Sequence, residues 1–143
     1  MSGAATAALG AAVVVAGAGS LRVAYPSVQS EGALVLGRVE VAVGSIVFLP
    51  EQGVFLTRTA EGLGAFSARC THLGCTVRES QDGLLCPCHG ARYDRAGRVV
   101  AGPARRDLPW LAVRVLEGGT VLVDPQTRVE TGTVTALAGG GRH

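Results

Sequence analysis

The sequence predicts an all-β protein: an antiparallel β sandwich or small barrel with a looped subdomain set into it, preceded by one N-terminal transmembrane helix. Three observations carry this expectation. From Leu34 onward, short apolar stretches alternate with turn residues. The 143 residues include 21 Gly but only 4% aromatics, a composition that suits many-turned β structure better than a helical bundle. From Met1 to Leu21 there is no charged residue.

Met1 to Leu21, which includes "AATAALGAAVVVAGAGSL", would be roughly 31 Å long as a helix, close to the thickness of a bilayer core. Its Ala, Gly and Val are small enough for tight packing against other membrane helices. Residues 1–24 are therefore expected to be a membrane anchor. A secretory signal peptide ending near Ala16-Gly17-Ala18 is the competing reading, and a buried soluble helix the third. No basic residue precedes the run, the first being Arg22, so the charge pattern does not orient it. Anchor and signal peptide alike put Pro26 onward outside the cytoplasm, on the periplasmic side of a cell membrane. Residues 25–33, "YPSVQSEGA", are polar, contain Pro and Gly, and read as a flexible linker.

The next elements are short. "RVEVAV" alternates at period two, and "SIVFL", "GVFLTRT" and "GAFSARC" follow, separated by "PEQ" and "AEGLG". "LAVRVLE" and "TVLVD", split by Gly118-Gly119, read as a hairpin. Nothing between Leu34 and Asp124 has the pattern of an amphipathic helix. These residues form the expected domain, with a Gly-, Pro- and Arg-rich subdomain at about 68–110. Residues 125–143 are expected to be a tail that frays, apart from a short strand at "TVTAL".

The net charge of +2 gives no general attraction to nucleic acid. All 13 basic residues are Arg; six lie between Arg92 and Arg114, against Asp94 and Asp107. Such a run is a solvated face or a docking site for an acidic partner protein.

The four cysteines fall between Cys70 and Cys88, in "CTHLGC" (Cys70 to Cys75) and "CPCHG" (Cys86 to Gly90), together with His72 and His89. A disulfide framework would be spread through the domain, so one dense Cys/His cluster points to a metal or redox site. Zinc held by two Cys and two His has the right ligand count, but the C-x-H spacing is unusual and two cysteines stay unexplained. Two disulfides with incidental histidines is the other alternative.

The pattern resembles the Rieske iron–sulfur proteins of cytochrome bc-type quinol oxidoreductases. The resemblance covers about Val39 to Asp124 in layout and is specific over "RCTHLGC", "CPCHG", "YD" and "GPA" (Gly102 to Ala104). It implies a Rieske-type fold and a [2Fe–2S] cluster, with Cys70 and Cys86 on one iron and His72 and His89 on the other. It implies a disulfide between Cys75 and Cys88, cysteines that soluble Rieske ferredoxins generally lack. His89 is implied to face quinol, and Leu73 to cover the cluster as an apolar tip or pack inward. Gly90 would let the backbone approach the cluster. Gly102 and Pro103 would form a shielding loop, with Arg105 where relatives often carry a second Pro. Tyr93 matches a tyrosine whose hydroxyl bonds a ligand sulfur. Ala91 stands where high-potential relatives usually carry Ser, which predicts a lower potential suited to menaquinol.

Imidazole in place of thiolate makes a cluster less negative and easier to reduce, so this ligand set suits an electron acceptor. The expected function is the electron-transfer subunit of a membrane quinol:cytochrome c oxidoreductase, with a cytochrome b-type subunit and a c-type cytochrome as partners. Two alternatives are a Rieske subunit of an arsenite-oxidase-like enzyme and a soluble ferredoxin-type carrier.

Overall fold

The computed structural model describes residues 32–137. The expected anchor, almost all of the linker and the last six residues lie outside them. Among the described residues no helix is long and apolar enough to cross a membrane.

Ten strands form two antiparallel sheets. The six-stranded sheet contains β1 (Leu34–Arg38), β2 (Ile46–Leu49), β3 (Val54–Arg58), β4 (Leu63–Ser67), β9 (Trp110–Val115) and β10 (Thr120–Val129), in the order β1-β10-β9-β4-β3-β2. The four-stranded sheet contains β5 (Arg78–Ser80), β6 (Gly83–Leu85), β7 (Arg92–Tyr93) and β8 (Val99–Ala101), in sequence order. It is inserted between β4 and β9, which pair with each other through Ala65↔Leu111 and Phe66↔Trp110. Closing the large sheet on both sides of the insertion fixes where the two cysteine loops begin.

Alternation along β3 and β4 divides the core in two. Val54, Leu56, Leu63 and Ala65 face one side, with Val113, Val121 and Val123 from the neighbouring strands. Phe55 and Phe66 face the other, where they pack with Leu84, Tyr93 and Cys86 of the insertion. A period of two makes this separation automatic once the register is set. Phe48, Phe55, Phe66 and Trp110 are consecutive cross-strand partners, their ring centroids 5.0, 5.3 and 5.4 Å apart. Three of the chain's few aromatics and its Trp thus form one ladder beneath the insertion. The Trp110 Nε1–H also donates to the Ala96 carbonyl at 2.8 Å, joining the small sheet to the large one.

The β9–β10 hairpin turns at Gly118-Gly119, where both residues have φ near 84°. That turn also ends β1. Arg38 pairs with Thr120, the first residue of β10, so the alternating "RVEVAV" has no neighbour beyond Arg38. Only its first residue is in a strand; Val41 is buried as a loop residue and Val43 is exposed.

At the other end β10 continues past Asp124 to Val129. A bulge absorbs residues 125–127, and pairing resumes at Arg128↔Leu111 and Val129↔Trp110. "TVTAL" makes one bridge, Leu63↔Thr135, rather than a strand. Gly62 and Gly64 permit it: a side chain on Gly62 would run into the Thr135 backbone, and one on Gly64 would meet Trp110 at 2.6 Å. The segment after Asp124 therefore packs on the domain at least as far as Leu137.

Candidate iron–sulfur site

Two loops carry the Cys/His cluster. The first, between β4 and β5, closes on itself: Cys70 N–H donates to the Cys75 carbonyl at 2.8 Å and Gly74 N–H to the Cys70 carbonyl at 2.9 Å. The second, between β6 and β7, closes similarly, with Gly90 N–H to the Cys86 carbonyl at 3.0 Å and Cys86 N–H to the Ala91 carbonyl at 2.8 Å. Each is a tight turn with glycine in the left-handed region, Gly74 at φ 83° and Gly90 at φ 76°.

Cys75 and Cys88 are joined by a disulfide that ties the two loops together. The Cys75, Cys86 and Cys88 sulfurs lie within 4.8 Å of one another, but the disulfide leaves only Cys86 able to bind metal. The remaining thiols, Cys70 and Cys86, are both buried and interact with each other. The His72 and His89 rings stand edge to face with centroids 5.0 Å apart. His72 Nδ1 is buried with no hydrogen-bond partner among the described residues. A buried ring nitrogen without a partner is costly unless a metal takes its lone pair. Two free thiols, two adjacent imidazoles and this orphaned nitrogen fit a [2Fe–2S] cluster bound by two Cys and two His.

Burial pushes the Cys70 thiol up, but the Tyr93 hydroxyl, the backbone N–H groups of His72 and Leu73, and Cys86 together hold it below the ordinary thiol value. Cys86 is pushed up, by burial first and then by Cys70. Tyr93 is also raised, by burial and by its hydrogen bond to Cys70. Tyr93 Oη lies 3.3 Å from Cys70 Sγ; a thiolate bound to iron has no proton to give, so beside a cluster the tyrosine would be the donor.

Thr71 completes this arrangement, and the sequence reading missed it. Its N–H donates to Tyr93 Oη at 3.2 Å, its hydroxyl oxygen lies 3.1 Å from the same atom, and its hydroxyl donates to the Arg106 carbonyl at 2.5 Å. One side chain links the first loop, β7 and the segment before β9. The only sequence signal was its place between Cys70 and His72.

The surrounding residues have distinct positions. Leu73 is 69% exposed, so it points outward instead of packing into the turn. His89 and Gly90 are exposed beside it, and Ala91 is fully buried. A side chain on Gly90 would meet nothing within 4 Å, so its glycine answers to φ and leaves open space at the loop tip. Gly102 and Pro103 line a small recess with Thr71, His72, Arg105 and Arg106. Gly102 touches the second loop so closely that a Cβ would come within 2.6 Å of the Gly90 carbonyl oxygen.

The Rieske [2Fe-2S] domain profile matches residues 34–117. The chain is 48% identical over 80 residues to the cytochrome b6-f complex iron-sulfur subunit 1 of Cyanophora paradoxa, a match covering 54% of this chain and 33% of that protein. It is 38% identical over 87 residues to a carotenoid phi-ring synthase of Chlorobaculum tepidum, covering 59% of this chain and 13% of that one. Among solved structures, the plasma membrane Rieske protein PetC3 of Synechocystis PCC 6803 aligns at 36% identity and a TM-score of 0.42, over 55% of this chain and 82% of that one. With the profile spanning more than half its length, from β1 through β9 and across both cysteine loops, the chain belongs to the Rieske [2Fe-2S] domain family and carries a Rieske-type cluster.

Proposed function

We propose that this chain is the electron-transfer subunit of a membrane quinol:cytochrome oxidoreductase of the cytochrome b6-f or bc type. Its partners would be a cytochrome b-type subunit and a c-type cytochrome. The observation that carries the reading is the disulfide-tied pair of loops, which buries Cys70 and Cys86 while leaving His89 and Leu73 at the surface. The likeness to the Cyanophora paradoxa subunit supports it.

Cys70 and Cys86 would hold one iron and His72 and His89 the other. When bound, such a cluster supplies a one-electron acceptor whose potential imidazole ligation raises. Cys70, Cys86, Ala91 and Tyr93 exclude water from the inner side. Exposed Leu73 offers apolar surface to a quinol pocket. The His89 ring nitrogen not used for ligation would accept a hydrogen bond from a quinol hydroxyl and hold the proton released. The head would lie on the extracytoplasmic face of the cell membrane, carried by the N-terminal segment. Membrane fractionation followed by quinol-driven reduction of cytochrome c tests the assignment. A soluble chain with no such activity would favour a carrier or enzyme module, the reading to which the phi-ring synthase likeness points.

Two residues are expected to set the potential. Tyr93 donates to the Cys70 sulfur, withdrawing charge from a ligand that becomes more negative on reduction. About 1.4 kcal/mol of differential stabilisation corresponds to about 59 mV for one electron. A hydrogen bond to a charged group is worth about 1.5–3 kcal/mol, only part of it differential. Tyr93→Phe should lower the potential by tens of millivolts in a redox titration; an unchanged value would remove Tyr93 from this role. Ala91 has no side-chain donor, and Ala91→Ser adds one at the fully buried position where high-potential relatives usually carry Ser. A rise of similar size is expected, and its absence would remove the argument for a low-potential quinol such as menaquinol.

A further inference from the structure

An open groove of about 780 Å³ is lined by the first cysteine loop and by no residue of the second. Arg69, Arg106 and Arg128 line it, from three separate segments, and no Asp or Glu does. All three are exposed, and none has a carboxylate within ion-pair distance among the described residues. Glu130, two residues from Arg128, does not line the groove, and Asp107 and Asp124 are hydrogen-bonded elsewhere. Asp107 accepts from the Val99 N–H at 2.8 Å. Asp124 accepts from the Gln126 N–H at 2.9 Å and the Thr127 hydroxyl at 2.8 Å. The groove also has apolar lining from Pro109, Leu111 and Pro125, and His72 and Leu73 line it too.

We propose that this groove seats an acidic peptide segment of the protein that exchanges electrons with this chain. The proposal rests on reading the chain as an electron-transfer subunit and names the surface by which it docks. Three like charges in one concavity repel one another and focus a positive field, which an incoming carboxylate relieves. Guanidinium forks suit paired carboxylates. The groove is much larger than one small anion, and its mixed polar and apolar lining fits a peptide. A flat anionic bilayer cannot enter it. Docking here brings the partner against the loop that carries Cys70 and His72. Of the six arginines between Arg92 and Arg114, the groove uses only Arg106; Arg69 and Arg128 come from outside that run.

The test uses the full chain with its cluster, in detergent, and a fluorescein-labelled hexaglutamate peptide. The groove variant R69Q/R106Q/R128Q is compared with R78Q/R92Q/R95Q, which loses the same charge from exposed positions outside the groove. The groove variant should bind the peptide about tenfold more weakly, and the control within about twofold of the parent. Equal weakening of both would overturn the proposal, since net charge alone would then explain binding. Full displacement of the peptide by millimolar inorganic phosphate would overturn it in favour of a small-anion site. Anionic vesicles that lose binding to the groove variant while the peptide does not would overturn it in favour of a lipid surface. Quinol-driven cytochrome c reduction by parent membranes is measured alongside. Its absence would overturn the subunit reading, whereas its presence with equal weakening of both variants would overturn only the groove.

Discussion

Replacing Cys75 and Cys88 together by alanine should strip the cluster from this chain well before the domain itself unfolds. The disulfide closes a separation of 13 residues, which in the chain-entropy model is worth about 3 kcal/mol. That loss falls unevenly. The apolar core formed by Val54, Leu56, Leu63, Val121 and Val123 lies within the large sheet and does not include the cysteine loops. The loops are held by their own turns, the disulfide, a few long-range bonds and the packing of Cys70, Cys86 and Ala91 in the second core, while Leu73, Thr76, His89 and Gly90 are exposed. Without the bridge, local opening should separate the two ligand pairs and release iron. Iron content and visible absorbance during a thermal ramp, followed beside far-UV circular dichroism, would show two separated transitions in the double variant. Coincident loss at the parent's temperature would mean that the disulfide does not hold the ligands in place.

The second large effect belongs to Gly102→Ala. Gly102 has φ 87°, and its Cβ would lie 2.6 Å from the Gly90 carbonyl oxygen and 2.8 Å from Ala91 Cα. Both are backbone atoms of the second cysteine loop, so no rotamer change can relieve the clash. The Gly102–Pro103 segment and that loop must move apart, exposing the inner side of the site. Backbone strain of this kind costs about 1–3 kcal/mol. Gly118→Ala is the control, because it has φ 84° and no atom within 4 Å of the new Cβ. Gly102→Ala should lower the urea midpoint more than Gly118→Ala and should also shorten cluster lifetime in air. Equal midpoints and equal lifetimes would show that backbone conformation, not the contact with Gly90 and Ala91, is what the glycine provides.

The site was more legible in the sequence than the fold that carries it. Ligand spacing is local: Cys70, His72, Cys75, Cys86, Cys88 and His89 sit in two tight turns, and turn geometry follows from neighbouring residues. Strand limits depend on partners far along the chain. "RVEVAV" had the right alternation and still stopped at Arg38, because the Gly118-Gly119 hairpin left nothing to pair with. β10 ran past Asp124 because Trp110 and Leu111 offered partners again after a bulge. The aromatic ladder needs the registers of four strands at once, and none of them can be read locally. Thr71 escaped notice for the same reason: Tyr93 and Arg106, which give it meaning, lie 22 and 35 residues away.

The expected tuning and docking residues differ in burial. Tyr93 and Ala91 are buried on the inner side of the loops, where they would act on the potential. Leu73 and His89 are outside, where a quinol pocket would meet them, and Leu73 also lines the arginine groove. Thr71, bonded to both Tyr93 and the Arg106 carbonyl, joins the inner side to the groove, so changes at the two are expected to be coupled.

The most direct measurement is pulsed EPR on the reduced, purified chain, with variants at His72 and His89. The account predicts a paramagnetic [2Fe–2S] signal with hyperfine coupling to two ligand nitrogens, one lost in each of His72→Cys and His89→Cys. An EPR-silent protein containing zinc, or a cluster with no nitrogen coupling, would contradict it.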